Sequence, residues 1–248
     1  MKRLKVFKKK LNYILILARE GSTRVKNKNL RKIGGHSLIS RKIKSALNSN
    51  IGKVFLSTNS SQIKKIGIKM RINVIDRPQK YSGSFATTFS SVLHFLRMLK
   101  KEKIEYPDYL TILPPTFPFL TTNSIRKAYK KLVKNKNFNS ISSYTLSQFH
   151  PFTSVIKKRD RLIFDKIKYL KYKPEYFERT QDWPPIYNNC AAIRISKVEY
   201  FDKFLNYTSS KYINFTFDKL SCIGLELNSK ESIDINTYED LKFAKKLN

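Results

Sequence analysis

The stretch from Tyr13 to Arg31, YILILAREGSTRVKNKNLR, decides the fold, because an apolar run is followed directly by a basic loop. The run up to Ala18 predicts a short buried strand. A turn at 20–23 would bring cations and backbone N–H groups to the end of that strand, as in a polyphosphate site. The cations are Arg19, Arg24, Lys26, Lys28 and Arg31. A solvated basic loop has the same composition, and no complete P-loop or dinucleotide motif is present.

Strand-like and helix-like segments alternate through the first 145 residues, which predicts βαβ units and a mostly parallel sheet. The predicted strands are 13–18, 53–58, 72–75, 109–113 and 140–144. The predicted helices are 37–47, 61–68, 87–103 and 122–134. Later strands at 187–195 and 222–227 and a helix at 238–247 are expected to return to this sheet. The prediction is one α/β domain over residues 12–248.

Residues 146–186 interrupt the regular pattern with aromatics, charges and prolines, which favours an inserted subdomain or a dimer arm. Trp183 and its aromatic neighbours, Tyr172, Tyr176 and Phe177, are more typical of a dimer contact than of a nucleic-acid stacking surface. Residues 1–11 form a basic lead-in, and the apolar run after them is too short for a signal peptide.

Composition limits the partners without choosing one. Fifty Lys and Arg against 18 Asp and Glu give a net charge of +32, which attracts nucleotides, nucleic acids and anionic membranes. The lysines are dispersed along the chain, whereas a nucleic-acid binder would focus them on one face. Cys190 and Cys222 have no metal-ligand spacing, and no apolar stretch predicts a membrane span. A cytoplasmic protein with no membrane insertion and no stable nucleic-acid partner is expected.

Six segments, taken in order, resemble the CMP-sialic acid synthetase family of sugar-acid cytidylyltransferases. They are AREGSTRVKNKNLRKIGGHSLI (18–39), VFLSTNSSQI (54–63), INVIDRP (72–78), ILPPTFPFL (112–120), RTQDWPPIY (179–187) and SIDINTYEDLKFA (232–244). The resemblance implies a Rossmann-like three-layer α/β/α nucleotidyltransferase fold with a small inserted dimerisation subdomain. It also implies a homodimer that transfers CMP from CTP to the anomeric hydroxyl of a nonulosonic sugar acid, with magnesium as the cofactor.

The resemblance assigns catalytic roles to Arg19, Lys28 and Asp234. Arg19 and Lys28 would neutralise the triphosphate, and Arg77 would hydrogen-bond the cytosine O2. The remaining nucleotide-binding positions are Ala18, Ser22, Thr23, Arg24, Asn29, Thr87 and Thr88. Ordinary helix capping is an alternative role for Thr87 and Thr88.

Asp234 is the expected Mg²⁺ ligand, because hard divalent cations prefer carboxylate oxygens. The family usually has a second Asp where this chain has Asn236, whose amide offers only a neutral oxygen. Glu239 or Asp240 could then assist as a further acid. Asp234 could instead cap the closing helix.

The sugar acid is expected to contact Arg179, Gln181 and Thr116. Arg179 suits bidentate pairing with a carboxylate. Several positions depart from the family pattern, and most of them are on the sugar side: Asn59, Pro114, Leu120, Cys190 and Ala191. They are compatible with a pocket for a sialic, legionaminic or pseudaminic type of acid, with a KDO-activating relative, or with a catalytically impaired homologue that binds CTP. A basic nucleic-acid-binding module is the alternative from another functional class.

Overall fold

The computed structural model describes residues 10–83, 86–150, 156–158, 161–163, 179–206 and 221–248. The main sheet has seven strands in the order β11-β7-β10-β6-β1-β4-β5. All its pairings are parallel except those of β10, which runs antiparallel to β6 and β7. No helix of the described part is long and apolar enough to cross a membrane.

The strands of this sheet are β1 (Asn12–Leu17), β4 (Lys53–Thr58), β5 (Asn73–Asp76), β6 (Tyr109–Ile112), β7 (Ser140–Leu146), β10 (Tyr187–Lys197) and β11 (Cys222–Glu226). The two small hairpins are β2 (Lys32–Ile33) with β3 (His36–Ser37), and β8 (Ile156–Lys158) with β9 (Arg161–Ile163). The helices are α1 (Leu38–Ser49), α2 (Ser61–Lys69), α3 (Thr88–Lys101), α4 (Thr122–Lys134), α5 (Glu199–Asp202) and α6 (Tyr238–Lys246).

Strand β1 lies in the interior of the sheet, between β6 and β4, and it is apolar on both faces. Ile14 and Ile16 pack on one side with α1, α2 and α4, while Tyr13 and Leu15 pack on the other with α3 and α5. Continuous apolar runs of this kind belong to parallel sheets that helices cover on both sides. The predicted three-layer α/β/α fold is confirmed.

The predicted elements match the observed ones to within two residues at nearly every end, and 53–58 and 122–134 match at both ends. The predicted alternation did not give the antiparallel insertion of β10 between β6 and β7. A bulge between Asn189 and Arg194 interrupts the pairing of β10 with β7. Ala191 lies in that bulge with a left-handed φ of 54°.

The predicted excursion over 146–186 is described only in part. Its described residues include the end of β7 and the antiparallel hairpin of β8 and β9. Trp183 lies beside the ring of His150, with the centroids 4.9 Å apart. Tyr172, Tyr176 and Phe177 lie outside the described residues, so the predicted dimer arm stays a prediction.

Candidate active site at the carboxyl edge of the sheet

The basic loop after β1 is anchored by one apolar side chain. Val25 is 1% exposed and packs against Ile235 and Leu241 in a small core cluster beside α6. Burying a valine stabilises this contact by about 1.5–3 kcal/mol. The anchor therefore places the loop's cations beside the segment 234–236, more than 200 positions away in the chain.

Arg19 and Arg77 follow the ends of β1 and β5, at the same edge of the sheet. Nη1 of Arg19 donates to the carbonyls of Ser82, at 3.2 Å, and Gly83, at 2.9 Å. A cavity of about 320 Å³ lies beside these contacts. Its lining residues are Arg19, Glu20, Gly21, Asn59, Gln79, Ser82 and Gly83. Gly21 turns the loop there with a φ of +79°.

Arg77 is a buried cation with unused donors. Its Nη1 donates to Ser91 Oγ at 3.1 Å, while Nε and Nη2 have no hydrogen-bond partner among the described residues. Burial lowers the pKa of Arg77 to about 10, and the charge of Arg19 contributes in the same direction. Buried donors without partners are costly, so they mark a position where a ligand acceptor fits.

Two asparagines hold both sides of the peptide between Arg19 and Glu20. Asn29 Nδ2 donates to the Arg19 carbonyl at 3.1 Å, and Asn59 Oδ1 accepts from the Glu20 N–H at 2.9 Å. This clamp fixes the orientation of the loop as it leaves the sheet. Sequence reasoning treated Asn59 only as a departure from the family pattern and missed this role.

Lys28 connects the loop to the segment that carries Asp234. Its Nζ donates to the Ile235 carbonyl at 2.9 Å. Burial lowers the pKa of Lys28, and the nearby carboxylate of Asp234 opposes that shift. The side chain of Lys26 is exposed, and its backbone N–H donates to the Tyr238 hydroxyl at 3.2 Å. The Arg31 guanidinium lies over the ring of the same tyrosine, 5.9 Å from its centroid.

Asp234 is joined to the loop through Asn236. Asn236 Nδ2 donates to Asp234 Oδ2 at 2.7 Å, and Asn236 Oδ1 accepts from Arg24 Nη2 at 3.1 Å. Asp234 Oδ1 is buried and has no hydrogen-bond partner among the described residues. An orphaned carboxylate oxygen fits a hard divalent cation that takes its other ligands from phosphates and water. The described residues hold no cluster of three or more His, Cys, Asp and Glu side chains.

The N-terminus of α6 fixes the backbone of this segment. Thr237 is the N-cap, and its hydroxyl accepts from the Asp240 N–H at 3.2 Å. Asp240 Oδ2 in turn accepts from the N–H groups of Asn236 and Thr237, both at 2.8 Å. The alternative in which Asp234 caps this helix is therefore wrong. Asp240 serves as the reciprocal half of the capping box.

The other predicted nucleotide-binding positions lie after β1 and at the N-terminus of α3. Ala18 is buried, Ser22 is half-buried, and Thr23 is exposed in the basic loop. Thr87 is the N-cap of α3 and accepts from the Ser90 N–H at 3.1 Å, so its alternative role as a cap is confirmed. Thr88 is the first residue of that helix.

The predicted sugar residues fall into two places. The Thr116 carbonyl accepts from the Ile235 N–H at 2.9 Å, which brings the Pro-rich turn after β6 to the Asp234 segment. Arg179 and Gln181 are exposed neighbours, and when the Gln181 amide is oriented with its oxygen towards the guanidinium, that oxygen accepts from Nε and Nη2 of Arg179 at 2.7 Å. Leu120 is 2% exposed and belongs to the core.

A buried lysine supports the Pro-rich turn from behind, and sequence reasoning missed it. Lys42, on α1, is 2% exposed, and its Nζ donates to the Phe117 carbonyl at 3.0 Å. Burial lowers its pKa to about 7, against the opposing influence of the Glu231 carboxylate. A lysine within an apolar helix face was the only signal in the sequence.

Known proteins share sequence with this chain over most of its length. A sequence model of the cytidylyltransferase family matches residues 13–244. A pseudaminic acid cytidylyltransferase from Campylobacter jejuni subsp. jejuni is 28% identical over 238 residues, covering 94% of each chain. A CMP-N,N'-diacetyllegionaminic acid synthase from Legionella pneumophila subsp. pneumophila is 30% identical over 243 residues, again covering 94% of each chain.

Solved structures share the fold at low sequence identity. A CMP:2-keto-3-deoxy-manno-octonic acid synthetase complexed with CTP superposes with a TM-score of 0.68 at 12% identity, covering 96% of this chain and 98% of that one. A 4-diphosphocytidyl-2C-methyl-D-erythritol synthase from Anaerococcus prevotii gives 0.66 at 17% identity, covering 97% and 99%. The resemblance drawn from the six segments is confirmed, and the chain belongs to the cytidylyltransferase family.

Proposed function

We propose that this protein transfers CMP from CTP to the anomeric hydroxyl of a nonulosonic sugar acid and releases pyrophosphate. The acid is of the pseudaminic, legionaminic or sialic type, and the product is used to build surface glycans. The observation that carries the proposal is the meeting of Lys28 with the Asp234 segment, together with Arg19, whose charge acts on both Lys28 and Arg77. Family membership supplies the reaction class.

The nucleotide would be held by cations from three loops. Arg77 Nε and Nη2 suit a carbonyl acceptor such as the cytosine O2. Lys28 and the remaining donors of Arg19 and Arg24 would face the triphosphate. Thr87, Thr88, Ser22 and Thr23 would complete this pocket from the neighbouring turns.

A divalent cation, Mg²⁺ in this proposal, would be held by Asp234 Oδ1 and by phosphate oxygens. When bound, it supplies positive charge to the phosphoryl group that is transferred. Asn236 is the second predicted ligand, and its oxygen already accepts from Arg24. A site with one protein carboxylate is typical of magnesium that binds with a nucleotide.

The chemistry needs positioning and charge rather than a covalent intermediate. The anomeric oxygen forms a bond to the α-phosphorus and loses its proton, while the bond to the pyrophosphate oxygen breaks with its electron pair. Negative charge gathers on the pyrophosphate as it leaves, and Lys28 and Arg19 are placed to neutralise it. Arg179, Gln181 and Thr116 would orient the sugar acid for this attack.

We also propose that the protein is a cytoplasmic homodimer with residues 146–186 at its interface. Trp183 is a half-buried aromatic in this region, and aromatic residues are enriched at such interfaces. Light scattering during gel filtration should then give twice the 29.2 kDa mass of one chain. A mass of one chain at micromolar concentration would contradict the dimer.

Pyrophosphate release tests the reaction. The purified chain is incubated with CTP, millimolar Mg²⁺ and one of four acids: pseudaminic, legionaminic, N-acetylneuraminic or 2-keto-3-deoxy-manno-octonic acid. We expect release with CTP and one of the first three acids, but not with ATP, GTP or UTP. Asp234→Ala should reduce turnover by about 100-fold, as expected when one electrostatic stabiliser of the transition state is lost.

Three outcomes would overturn this proposal in different ways. Release only with 2-keto-3-deoxy-manno-octonic acid would identify a KDO-activating relative. CTP binding without release from any acid would identify an impaired homologue. Neither CTP binding nor release, together with salt-dependent retardation of mixed-sequence RNA, would favour a nucleic-acid-binding module.

A further inference from the structure

A chain of two hydrogen bonds joins a cation of the basic loop to the predicted metal ligand. Arg24 Nη2 donates to Asn236 Oδ1 at 3.1 Å, and Asn236 Nδ2 donates to Asp234 Oδ2 at 2.7 Å. The bond to Asn236 is the one hydrogen bond that Arg24 makes within the described part of the chain. Arg24 and Asp234, at the two ends of this hydrogen-bonded bridge, carry opposite charges, and the Asn236 amide lies between them.

The Asn236 amide makes both of these bonds at once because it carries an acceptor oxygen and a donor nitrogen. A guanidinium offers donors and no acceptor, and an ionised carboxylate offers acceptors and no donor. The Asn236 amide must therefore turn its oxygen towards Arg24 and its nitrogen towards Asp234. An aspartate at position 236 would pair with Arg24 but would place a second negative charge against Asp234.

This bridge uses one of the two Asp234 oxygens and leaves the other free. Oδ1 is the buried atom without a hydrogen-bond partner among the described residues. The surroundings of this oxygen are otherwise cationic: Lys28 donates to the adjacent Ile235 carbonyl, and Arg24 lies at the far end of the bridge. A further carboxylate near Lys28, that of Asp240, accepts from the backbone N–H groups of Asn236 and Thr237.

We expect such a site to bind a free divalent cation weakly and to bind it more tightly when an anion accompanies it. A single free carboxylate oxygen among two cations gives a poor site for a free metal ion, since Ca²⁺ and Mg²⁺ sites depend on ligand charge. The triphosphate supplies the missing negative charge. The same cations that weaken the empty site stabilise the nucleotide complex.

We propose that Asn236 is a positioning residue that ties Arg24 to Asp234, and that this bridge keeps the affinity of the empty site for a divalent cation low. The inference rests on the proposed function, because it assumes that CTP binds at this edge of the sheet. Arg24 and Asn236 then act as a coupled pair: the effect of a substitution at one residue on the affinity for the metal depends on which residue stands at the other position.

A double-mutant cycle on Arg24 and Asn236 tests the pair. The parent, Asn236→Asp, Arg24→Gln and the double variant are titrated with Mn²⁺ in the absence of nucleotide, and free Mn²⁺ is measured by electron paramagnetic resonance. We expect weak binding by the parent and little gain in Asn236→Asp, because Arg24 pairs with the new carboxylate. The affinity of the double variant for Mn²⁺ should exceed, by about fivefold or more, the affinity expected if the effects of the two single substitutions simply combined.

Lys26→Gln combined with Asn236→Asp is the matched control, because Lys26 is an exposed cation of the same loop. It removes the same charge without touching the bridge and should show additive effects. Additive effects in the Arg24 cycle, or Mn²⁺ binding by the parent at micromolar concentration without CTP, would overturn the inference.

CTP titrations of the same variants separate this inference from the proposed function. In the presence of CTP, the parent should take up Mn²⁺ at least about tenfold more tightly than in its absence, as expected for a nucleotide that supplies the missing charge. If the parent turns over CTP but the effects in the Arg24 and Asn236 double-mutant cycle are additive, the proposed role of this pair is wrong and the proposed function stands. If neither the parent nor any variant binds CTP, the proposed function itself is wrong.

Discussion

At the scale of single residues, Lys28 is the side chain on which we expect nucleotide binding to depend most. It is the loop cation that reaches the Asp234 segment through a backbone carbonyl, at 2.9 Å. Its partly buried position strengthens any pairing with a phosphate, because solvent screens the two charges less.

Lys28→Ala should weaken CTP binding by about 10- to 100-fold, the value of one charge-assisted hydrogen bond. Calorimetric titration with CTP measures this. Lys26→Ala, which removes an exposed cation two positions away, should change the affinity much less. Equal losses in the two variants would indicate a general charge effect rather than a specific contact.

The lowered pKa of Lys28 also predicts a pH dependence of binding. The amine must be protonated to pair with a phosphate, and burial makes it lose its proton at a lower pH than an exposed lysine. CTP affinity should therefore fall as the pH rises through the alkaline range, and it should fall less in Lys28→Arg. An affinity that is flat up to pH 10 in the parent would contradict this placement.

Ala191 is the residue where a departure from the family pattern has a visible structural cost. Its φ of 54° is left-handed, a region that costs an L-residue about 1–2 kcal/mol and costs glycine little. Ala191 was one of the departures expected from the resemblance, and the bulge in β10 gives it a backbone conformation that suits glycine.

Ala191→Gly should leave the free energy of unfolding unchanged or raise it by up to about 1 kcal/mol. Ala192→Gly is the control, because Ala192 is fully buried in the same strand and should lose about 1 kcal/mol through backbone entropy. Urea unfolding followed by circular dichroism compares the two. An Ala191→Gly variant as unstable as Ala192→Gly would show that the bulge does not require glycine.

At the scale of elements, the N-terminus of α6 holds the site. The capping box of Thr237 and Asp240 fixes the backbone N–H groups that follow Asp234. Burial alone would raise the pKa of Asp240, but the hydrogen bonds from Asn236 and Thr237 lower it below its ordinary value of 3.8. This contribution to stability is present above pH 3.8 and is lost as the pH falls through the lower folded-state pKa.

Thr237→Ala should lower the free energy of unfolding by about 1 kcal/mol, the usual value of an N-cap. It should also reduce turnover, because the Asp234 segment loses a fixed neighbour. Thr237→Ser keeps the hydroxyl and should restore both quantities. Thermal unfolding and the pyrophosphate assay provide the two measurements, and a fully active, equally stable Thr237→Ala variant would contradict this role.

At the scale of the whole molecule, the buried ammonium of Lys42 couples global stability to pH. Its folded-state pKa of about 7 lies below the unfolded value of 10.5, so the unfolded chain binds more protons between these values. The free energy of unfolding should therefore rise as the pH increases from about 7 towards 10.5.

Lys42→Met should remove this rise. The urea midpoints of the parent and of the variant, measured across the same pH range, show the difference. Lys44→Met changes an exposed lysine of the same helix and should keep the parent's slope. A parent and a Lys42→Met variant with parallel pH profiles would show that the ammonium is solvated rather than buried.

The placement of charge also bears on the choice between nucleotide and polymer. Arg19, Arg24, Lys28 and Arg77 gather where β1 and β5 end, which is the arrangement expected for a nucleotide. In a doubly wound sheet this edge is the usual ligand crevice. The net charge of +32 still predicts salt-dependent attraction of polyanions to the rest of the surface.

The alternation of apolar runs and helical spacing was enough to predict most elements, because β1 and its neighbours are buried on both faces and leave a continuous apolar signal. The position of β10 was not predictable in this way, since an antiparallel strand inside a parallel sheet has no periodicity of its own. The same holds for the bulge at Ala191, which is a backbone conformation rather than a composition.

The amino-acid sequence by itself determined the class of the fold, the basic loop after the first strand and the identity of Asp234 as the candidate metal ligand. Only the tertiary structure decided that Val25 pins this loop to α6, that Asn236 bridges Arg24 and Asp234, and that Asp240 caps a helix. The physical reason is that periodicity and residue type are local properties of the chain. Hydrogen bonds between groups some 200 positions apart exist only after the core has packed.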